Sequence, residues 1–579
     1  MPPSFTQAPP FTQPPSFTQT PPFTQTPPRS FPRRALLRTA GVAASATTLF
    51  GPSALSGPAP AAAVPRRSPV LPDPGSITAT DPALLSALEA VSLLRSRALH
   101  PRELLDACLR RSAEHDGEIN SWVHVYPETA HAQAEAAATR LAAGNAPLLC
   151  GLPVGVKDLY ALEGLPLTAD SRILEHNIAS GDATVCRKLR DNGAILMGHA
   201  RLDEFALLTA TPQVGNPWNI ADTVGGSSGG SAAVLAARFA PLALGTDTGG
   251  SVRLPASRCG ISSIKPTYGR CSTYGIIPVM WTRDHPAPMG RSLADAALLL
   301  SFMAGPDGHD PATTAAPPPA PLYPLAPRPA LKPLAGKVFG VVAVDMPAEL
   351  GRLFGEYLAL ITELGGELRD VRLPAEPEVL ATGGARELGS YHRQWLDRLT
   401  ELRPSSLPVV GMGLAALAAP FTEYQAFERA REQYQRDYNR LFAEHGLDAV
   451  VLPGAARDGT PRATAAAMSL LDADLVPVAW ANYTGAPAIA LPAGRSAVTG
   501  MPFGVQLGGL PWAEADLLDI GLALEAAAPY WREEPPLRPS PRVLPAVAPQ
   551  PPGPGPDPTN TETWNSVYRF FPTTATATG

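Results

Sequence analysis

Two segments rich in glycine and serine carry the residue types that nucleophilic catalysis requires. The first spans residues 225–231 and contains Ser227 and Ser228. Composition alone would predict a flexible linker, but the helix-forming run 232–237 follows at once, so these glycines lie at a helix entrance. Backbone N–H groups there have no intrahelical partner and can bind an anion or polarise a carbonyl group.

The second segment, residues 245–255, places Ser251 directly after Gly249 and Gly250. It follows the apolar run 241–245, so it lies at the end of a predicted strand. Glycines before a serine let the backbone approach a substrate closely and turn several N–H groups inward. A tetrahedral oxyanion needs such N–H groups, and a serine hydroxyl beside them is a candidate nucleophile.

A serine nucleophile needs a base, and Lys157 is the candidate. It closes the apolar run 153–156, and a lysine in such a place usually extends its amine to solvent or forms an ion pair. A dry pocket can instead remove its proton, because desolvation lowers the pKa of an amine. Lowering that pKa from about 10.4 to about 7 costs on the order of 5 kcal/mol. The site must therefore supply hydrogen bonds that favour the neutral amine.

Other kinds of catalytic centre find no match in the sequence. No H-E-x-x-H pattern and no His/Cys cluster at metal spacing occurs, so no metal centre is predicted. There is no phosphate-binding G-x-x-x-x-G-K-[ST] loop, and residues 411–416 lack the preceding strand and the acidic partner of a dinucleotide loop. We therefore expect no cofactor.

The elements that must position these side chains alternate between strand and helix along residues 76–530. Apolar runs bounded by glycine or proline predict buried strands at 153–156, 194–197, 241–245, 337–344, 448–452, 488–491 and 503–507. Amphipathic or helix-forming patterns predict helices at 101–109, 129–143, 183–192, 293–303, 424–444 and 513–526. Strands separated by helices predict an α/β fold with a sheet covered on both faces.

Both ends of the chain differ from this body. Of 68 prolines, 30 lie in residues 1–75 and 535–579, and segments so rich in proline bury too little apolar surface to fold. Residues 1–32 largely repeat a Pro/Phe/Thr/Gln unit, and 531–579 is predicted to be a disordered tail. Residues 33–63 combine paired arginines, an apolar stretch and small residues, which predicts a twin-arginine signal peptide and export to the periplasm or beyond. Without that signal the protein would be cytoplasmic.

The charge balance bounds the partners. The net charge is −6, with 46 basic and 52 acidic side chains, which argues against a mainly electrostatic nucleic-acid binder. No apolar run reaches the roughly 18 residues that a membrane span needs.

Together these features resemble the amidase signature family. The match runs continuously over residues 225–256 and continues into 259–261 and 265–270. Further matching segments lie upstream and downstream, at 153–158, 202–205, 216–219, 284–289, 485–489 and 502–507. The chain departs from many relatives at residues 199–201 and in the short loop 205–216, so no single relative's substrate can be carried over.

The resemblance implies one large domain, built on a mixed sheet, with a Ser-Ser-Lys triad. Ser251 would be acylated, and Ser227, after a cis peptide bond, would pass its proton to Lys157. Backbone N–H groups of one loop would form the oxyanion hole, those of Thr248, Gly249, Gly250 and Ser251. Three further side chains would support the site without reacting, Ser228, Asp247 and Arg253.

Three functions remain open at this point. The first is an exported amidase that cleaves the C–N bond of a small-molecule or peptide amide into a carboxylate and ammonia or an amine. The second is the glutamine-hydrolysing A-type component of a tRNA amidotransferase, although the leader and the acidic body count against it. The third is a binding protein that has lost catalysis. Residues 383–399 and 421–438 are expected to form pocket walls, and the oligomeric state stays open, with a homodimer as one option.

Overall fold

Strands and helices alternate through the part of the chain that the computed structural model describes, residues 70–465 and 478–551. The strands are β1 Trp122–Val125, β2 Pro153–Lys157, β3 Ile195–Ala200, β4 Gly215–Asn216, β5 Asn219–Thr223, β6 Leu242–Asp247, β7 Ser262–Lys265, β8 His285–Gly290, β9 Val338–Val342, β10 Glu367–Val371, β11 Ala449–Pro453, β12 Ala488–Arg495 and β13 Pro502–Gly508. The α-helices are α1 Ala87–Ser96, α2 Pro101–Ile119, α3 Pro127–Ala142, α4 Thr184–Asp191, α5 Gly229–Ala236, α6 Arg253–Cys259, α7 Leu293–Met303, α8 Ala348–Glu363, α9 Glu378–Gly383, α10 Ala385–His392, α11 Leu407–Ala416, α12 Phe421–His445, α13 Arg462–Ala465, α14 Trp480–Thr484 and α15 Glu514–Ala527. Every predicted strand and helix is present among them, with the ends shifted by a few residues, except that α2 continues well beyond its predicted end.

Within the described residues, 11 strands form one mixed sheet in the order β1-β3-β2-β6-β8-β7-β12-β13-β11-β9-β10. The pairs β2–β3, β2–β6, β9–β10 and β9–β11 are parallel, and the other neighbours in this sheet are antiparallel. The helices flank the sheet. The predicted α/β fold with a central mixed sheet is confirmed.

The parallel pair β2 and β6 brings the two predicted catalytic segments to one edge of the sheet. Val154 lies opposite Leu242, and Val156 lies opposite Leu244. Both strands are fully buried, as their apolar sequences require. Because parallel strands end at the same edge, Lys157 at the end of β2 lies beside the end of β6.

A further strand, β8, which the sequence did not predict, pairs with β6 next to this edge. It pairs antiparallel with β6 over its whole length, from Leu242 opposite Gly290 to Asp247 opposite His285. The register fixes the segment before β8 beside the loop that follows β6. Residues preceding His285 are therefore held close to the predicted oxyanion loop.

The C-terminal region differs from the predicted tail. Residues 538–551, which we call the C-terminal strap, lie on the domain: Ser540 bonds through its backbone to Glu114 and Gly117 of α2, and Val547 N–H donates to Val125 of β1. These backbone bonds cover the free edge of β1, the outermost strand, which is why this proline-rich segment is ordered. The prediction of a disordered tail is therefore wrong for residues 538–551.

The other terminal predictions lie outside the described residues, namely the repeat 1–32, the leader 33–63 and the tail beyond 551. Among the described helices, none is long and apolar enough to cross a membrane alone. Only α11 and α12 together have the length and composition, and they are bent by 107°.

Candidate active site

The amine of Lys157 is fully buried and donates hydrogen bonds to three hydroxyl groups. Nζ lies 2.9 Å from Ser227 Oγ, 2.9 Å from Ser228 Oγ and 2.8 Å from Thr246 Oγ1. The lysine has 0% of its surface exposed. The structure thus brings the predicted base into direct contact with the predicted proton carrier and with two further hydroxyl groups.

The same surroundings set the protonation of this amine. Burial lowers the pKa of Lys157 to about 7, and the charges of Asp247, Asp203 and Asp284 limit the fall. Among the residues described by the structure, no carboxylate forms an ion pair with Nζ. At neutral pH the amine is therefore partly unprotonated, which is the state that a general base needs.

Ser227 and Ser228 have different partners, although they are neighbours in sequence. The Ser228 hydroxyl donates to the Thr246 carbonyl at 3.1 Å and accepts from the Thr246 N–H at 3.3 Å, so it is fixed to β6. Within residues 70–465 and 478–551, Lys157 is the one hydrogen-bond partner of the Ser227 hydroxyl. Ser227 can therefore turn its proton toward a second group, whereas Ser228 cannot do so without breaking bonds.

Tight packing around α5 fixes the serine loop. The peptide bond between Gly226 and Ser227 is cis, as the resemblance implied. A Cβ atom at Gly230 would lie 2.4 Å from the carbonyl oxygen of Arg201, and the Gly230 N–H donates to that same oxygen at 2.9 Å. Glycine is required here because the backbone of the neighbouring segment passes too close for a side chain.

Ser251 lies against the serine loop. Its carbonyl accepts the Ser228 N–H at 3.1 Å, and 6% of its surface is exposed. Thr248 precedes it in the same loop, and its hydroxyl donates to Asp284 Oδ1 at 2.6 Å. A backbone hydrogen bond therefore joins the two predicted catalytic serine segments, and one of them contacts Lys157.

The predicted oxyanion hole needs one correction. The Gly250 N–H donates to Asp247 Oδ1 at 2.8 Å, so it is already occupied and is not available to an oxyanion. In the described part of the chain, the N–H groups of Thr248, Gly249 and Ser251 have no such acceptor. The hole is thus reduced to these three candidate donors.

Asp247 and Arg253 hold this loop from behind. The Arg253 guanidinium donates to both carboxylate oxygens of Asp247, at 3.1 and 3.2 Å, and both side chains are fully buried. It also donates to Asn482 Oδ1 at 2.8 Å and Gln506 Oε1 at 2.9 Å. Burial alone would raise the pKa of Asp247, but the charge and hydrogen bonds of Arg253 outweigh it and lower that pKa well below its usual range. This ion pair, which we call the brace, therefore stays charged and holds the loop in place.

Comparison with known proteins decides the family. The amidase family profile matches residues 103–518, most of the chain. The chain belongs to the amidase family. It is 36% identical over 494 residues to the A component of glutamyl-tRNA(Gln) amidotransferase from Dinoroseobacter shibae, covering 77% of this chain and 97% of that protein. A similar relative from a Geobacter species is 33% identical over 486 residues.

Solved amidase structures have the same fold as this amidase. Peptide amidase from Stenotrophomonas maltophilia superposes with a TM-score of 0.69 and 26% identity, covering 78% of this chain and 98% of that one. The hydrolase of 6-aminohexanoate cyclic dimer gives 0.66 and 26%, covering 78% and 99%. This amidase is therefore a hydrolase of amide C–N bonds.

Thr246 also contacts Lys157, and the sequence patterns did not identify it as a site residue. Of the three hydroxyl groups bonded to Lys157 Nζ, that of Thr246 is the nearest, at 2.8 Å. The signal was present, since Thr246 follows the apolar run 241–245 just as Lys157 follows 153–156. Recognising it required knowledge that β2 and β6 are parallel neighbours.

His199 lies in the segment where this amidase departs from many relatives, and its side chain packs inside the domain. The residue is fully buried, and its ring bonds to the Tyr126 hydroxyl at 2.7 Å and the Tyr160 carbonyl at 3.0 Å.

Within residues 70–465 and 478–551, no three His, Cys, Asp or Glu side chains form a group that could hold a metal ion.

Proposed function

We propose that this amidase hydrolyses a small-molecule or peptide amide through an acyl intermediate on Ser251, with Lys157 as the base and Ser227 as the proton carrier. The observation that supports it best is the buried amine of Lys157, which bonds to Ser227 and has a pKa of about 7. No nucleic acid takes part in this reaction.

We propose the following acylation step. Ser251 Oγ attacks the carbonyl carbon of the amide and forms the C–O bond, while its proton moves to Ser227 and the proton of Ser227 moves to Lys157. The N–H groups of Thr248, Gly249 and Ser251 stabilise the negative oxygen of the tetrahedral intermediate. The C–N bond then breaks, and the leaving nitrogen takes a proton back through Ser227.

Deacylation uses the same groups in the same order. Water attacks the ester carbon, and its proton passes through Ser227 to Lys157. The C–O bond to Ser251 breaks, the serine regains its proton, and a carboxylate leaves. Lys157 is then unprotonated again, so the cycle consumes one amide and one water.

Two measurements test this proposal. Purified enzyme is labelled with a serine-reactive fluorophosphonate and assayed against primary, anilide and peptide amides. Ser251→Ala should lose both labelling and turnover. Ser257→Ala is the matched control, because this buried serine donates to the Arg253 carbonyl within α6. Label that persists in Ser251→Ala would contradict the assignment of the nucleophile.

A second candidate is the glutamine-hydrolysing component of an amidotransferase. It is favoured by relatives named as the A component of glutamyl-tRNA(Gln) amidotransferase, which align over nearly their whole length. The acidic charge of the chain and the leader pattern favour an independent exported amidase. Glutamine hydrolysis by the isolated chain is the discriminating assay: hydrolysis that depends on added partner proteins would support the second candidate.

We also propose export by the twin-arginine route. The support is the sequence pattern of residues 33–63, with Arg33 and Arg34 before an apolar stretch and small residues. Cell fractionation of the full chain and of a variant with both arginines replaced by lysine tests it. Equal amounts of both proteins outside the cytoplasm would contradict this route.

A further inference from the structure

Arg283 directly precedes Asp284 and is buried, with 6% of its surface exposed. The antiparallel register pairs Asp247 with His285. Arg283 comes two residues before His285, where the pairing of β8 with β6 begins. Its neighbour Asp284 accepts the hydroxyl of Thr248 from the oxyanion loop.

The guanidinium of Arg283 has weak partners. It lies over the Tyr483 ring, with 5.0 Å between its central carbon and the ring centroid, and Nη2 donates to the sulfur of Met280. A thioether is a poor acceptor. Nε is buried and has no hydrogen-bond partner among the described residues. The guanidinium also interacts with the Tyr483 side chain, so Nε–H is the donor that is left without an acceptor among the described residues.

Gly384 makes room for this guanidinium. A Cβ atom at that position would lie 2.5 Å from Nη2 of Arg283 and 2.7 Å from the Met280 sulfur. Gly384 belongs to the segment 383–399, which the sequence predicts to form a pocket wall. Any larger residue there would push the guanidinium aside.

Three carboxyl groups, those of Asp284, Glu376 and Glu387, are near enough to interact with the charge of Arg283, but in the described residues none forms an ion pair with it. Burial raises the pKa of Asp284 to about 6 and that of Glu387 to about 7. Both oxygens of Glu387 already accept from Thr282, and one also accepts from the Tyr424 hydroxyl. Asp284 and Glu387 are therefore bonded to other donors, and neither is paired with the Arg283 guanidinium.

We propose that Arg283 binds a carboxylate of the substrate, so that this amidase prefers amides carrying a free carboxylate over neutral ones. A planar guanidinium matches the two oxygens of a carboxylate. Beside Thr246 a cavity is lined largely by apolar residues, including Ile276, Ile277 and Val279, together with Asp284, the neighbour of Arg283. This inference rests on the proposed function, because it assigns the substrate class of that same site.

Matched substrate pairs test it. Malonamate, succinamate and glutaramate are compared with the corresponding diamides, which replace the carboxylate by a neutral group of the same shape. For at least one chain length, wild-type kcat/KM should be at least about 10-fold higher for the monoacid, because hydrogen bonds to a charged partner exceed neutral ones by that margin. Arg283→Gln should remove the preference mainly through KM, and Arg283→Lys should keep part of it.

Arg386→Gln is the matched control, because Arg386 lies on the same wall but donates to the carbonyl of Ala419 at 2.8 Å. It should leave the preference unchanged. Thermal melting checks that each variant is folded. The inference is overturned if wild type has the same kcat/KM for the monoacid and the diamide, or if Arg283→Gln still discriminates between them.

A second readout does not depend on turnover. The dianions malonate, succinate and glutarate are added during fluorophosphonate labelling, and at least one should slow labelling of wild type but not of Arg283→Gln. If none of the three dianions slows labelling and the enzyme turns over no monoacid, the inference is also overturned. Labelling of Ser251 without any carboxylate effect rejects only the inference, whereas absence of that labelling rejects the proposed function.

Discussion

Replacing Lys157 by methionine should lower activity sharply and change stability in opposite directions at low and high pH. Methionine fills a similar volume but carries no proton-accepting group, so kcat/KM should fall by about 100- to 10,000-fold, the usual contribution of a general base. In wild type, kcat/KM should rise with pH through about 7, since only the neutral amine accepts a proton and burial lowers the pKa of Lys157 to that value.

The stability effect follows from the same pKa. Its ordinary value is 10.5, so between about pH 7 and 10.5 the unfolded chain binds a proton that the folded chain does not, and stability rises with pH. At about 1.4 kcal/mol per pKa unit, the buried amine costs the folded state about 5 kcal/mol at pH 6 and about 2 kcal/mol at pH 9.

Methionine removes that cost but leaves three hydroxyl groups without their donor, those of Ser227, Ser228 and Thr246. Each lost hydrogen bond costs about 1 kcal/mol. Lys157→Met should therefore be more stable than wild type by about 2 kcal/mol at pH 6 and less stable by about 1 kcal/mol at pH 9.

Urea unfolding at both pH values, with amide turnover on the same samples, measures these effects. Lys188→Met is the control for turnover: its amine donates to the carbonyls of Ala304 and Gly305 at 3.2 and 2.6 Å, so the variant should keep its turnover. A stability difference for Lys157→Met that does not change with pH, or turnover near that of wild type, would refute the reasoning.

Three further substitutions probe other parts of the structure. Thr246→Val removes one acceptor of the Lys157 ammonium, so the acid limb of the kcat/KM profile should move to lower pH; an unmoved limb would contradict this. Asp247→Asn leaves the buried Arg253 without its charge partner and should lower the free energy of unfolding by about 3–5 kcal/mol, measured by urea unfolding; a loss below about 1 kcal/mol would argue against the brace. Gly117→Ala should displace the C-terminal strap, because the new Cβ would lie 2.6 Å from a strap carbonyl oxygen, and limited proteolysis should then cut within residues 538–551; unchanged protection would show that the strap tolerates the methyl group.

Some strands could not be predicted because their sequences carry no apolar run. β8 contains Pro286 and Pro288, which normally exclude a residue run from the middle of a sheet. Both prolines pair with β6, at Thr246 and Leu244, but lie beyond the residues paired with β7. Only one neighbouring strand has to accommodate the missing N–H groups, and no local pattern reveals which one.

The C-terminal strap shows the same limit. By composition it is a proline-rich segment with too little apolar surface to fold. It is ordered because the backbone of α2 and the edge of β1 offer donors and acceptors, with Arg542 also paired to the buried Asp116 at 3.2 Å. Those partners are more than 400 residues away in sequence, as the 422-residue separation of Arg542 and Asn120 shows.

The sequence by itself determined the kinds of element and the residue types at their ends: apolar runs that become strands, glycines that admit a close backbone, and Lys157, Ser227 and Ser251 at the junctions. These are local properties of spacing and side-chain shape. The tertiary structure decided which ends meet. The parallel pairing of β2 with β6 places Thr246 on the lysine, Asp247 takes the Gly250 N–H out of the oxyanion hole, and the pairing of β8 with β6 holds Asp284 against Thr248. Strand order depends on contacts between distant segments, whose total free energy no short stretch of sequence contains.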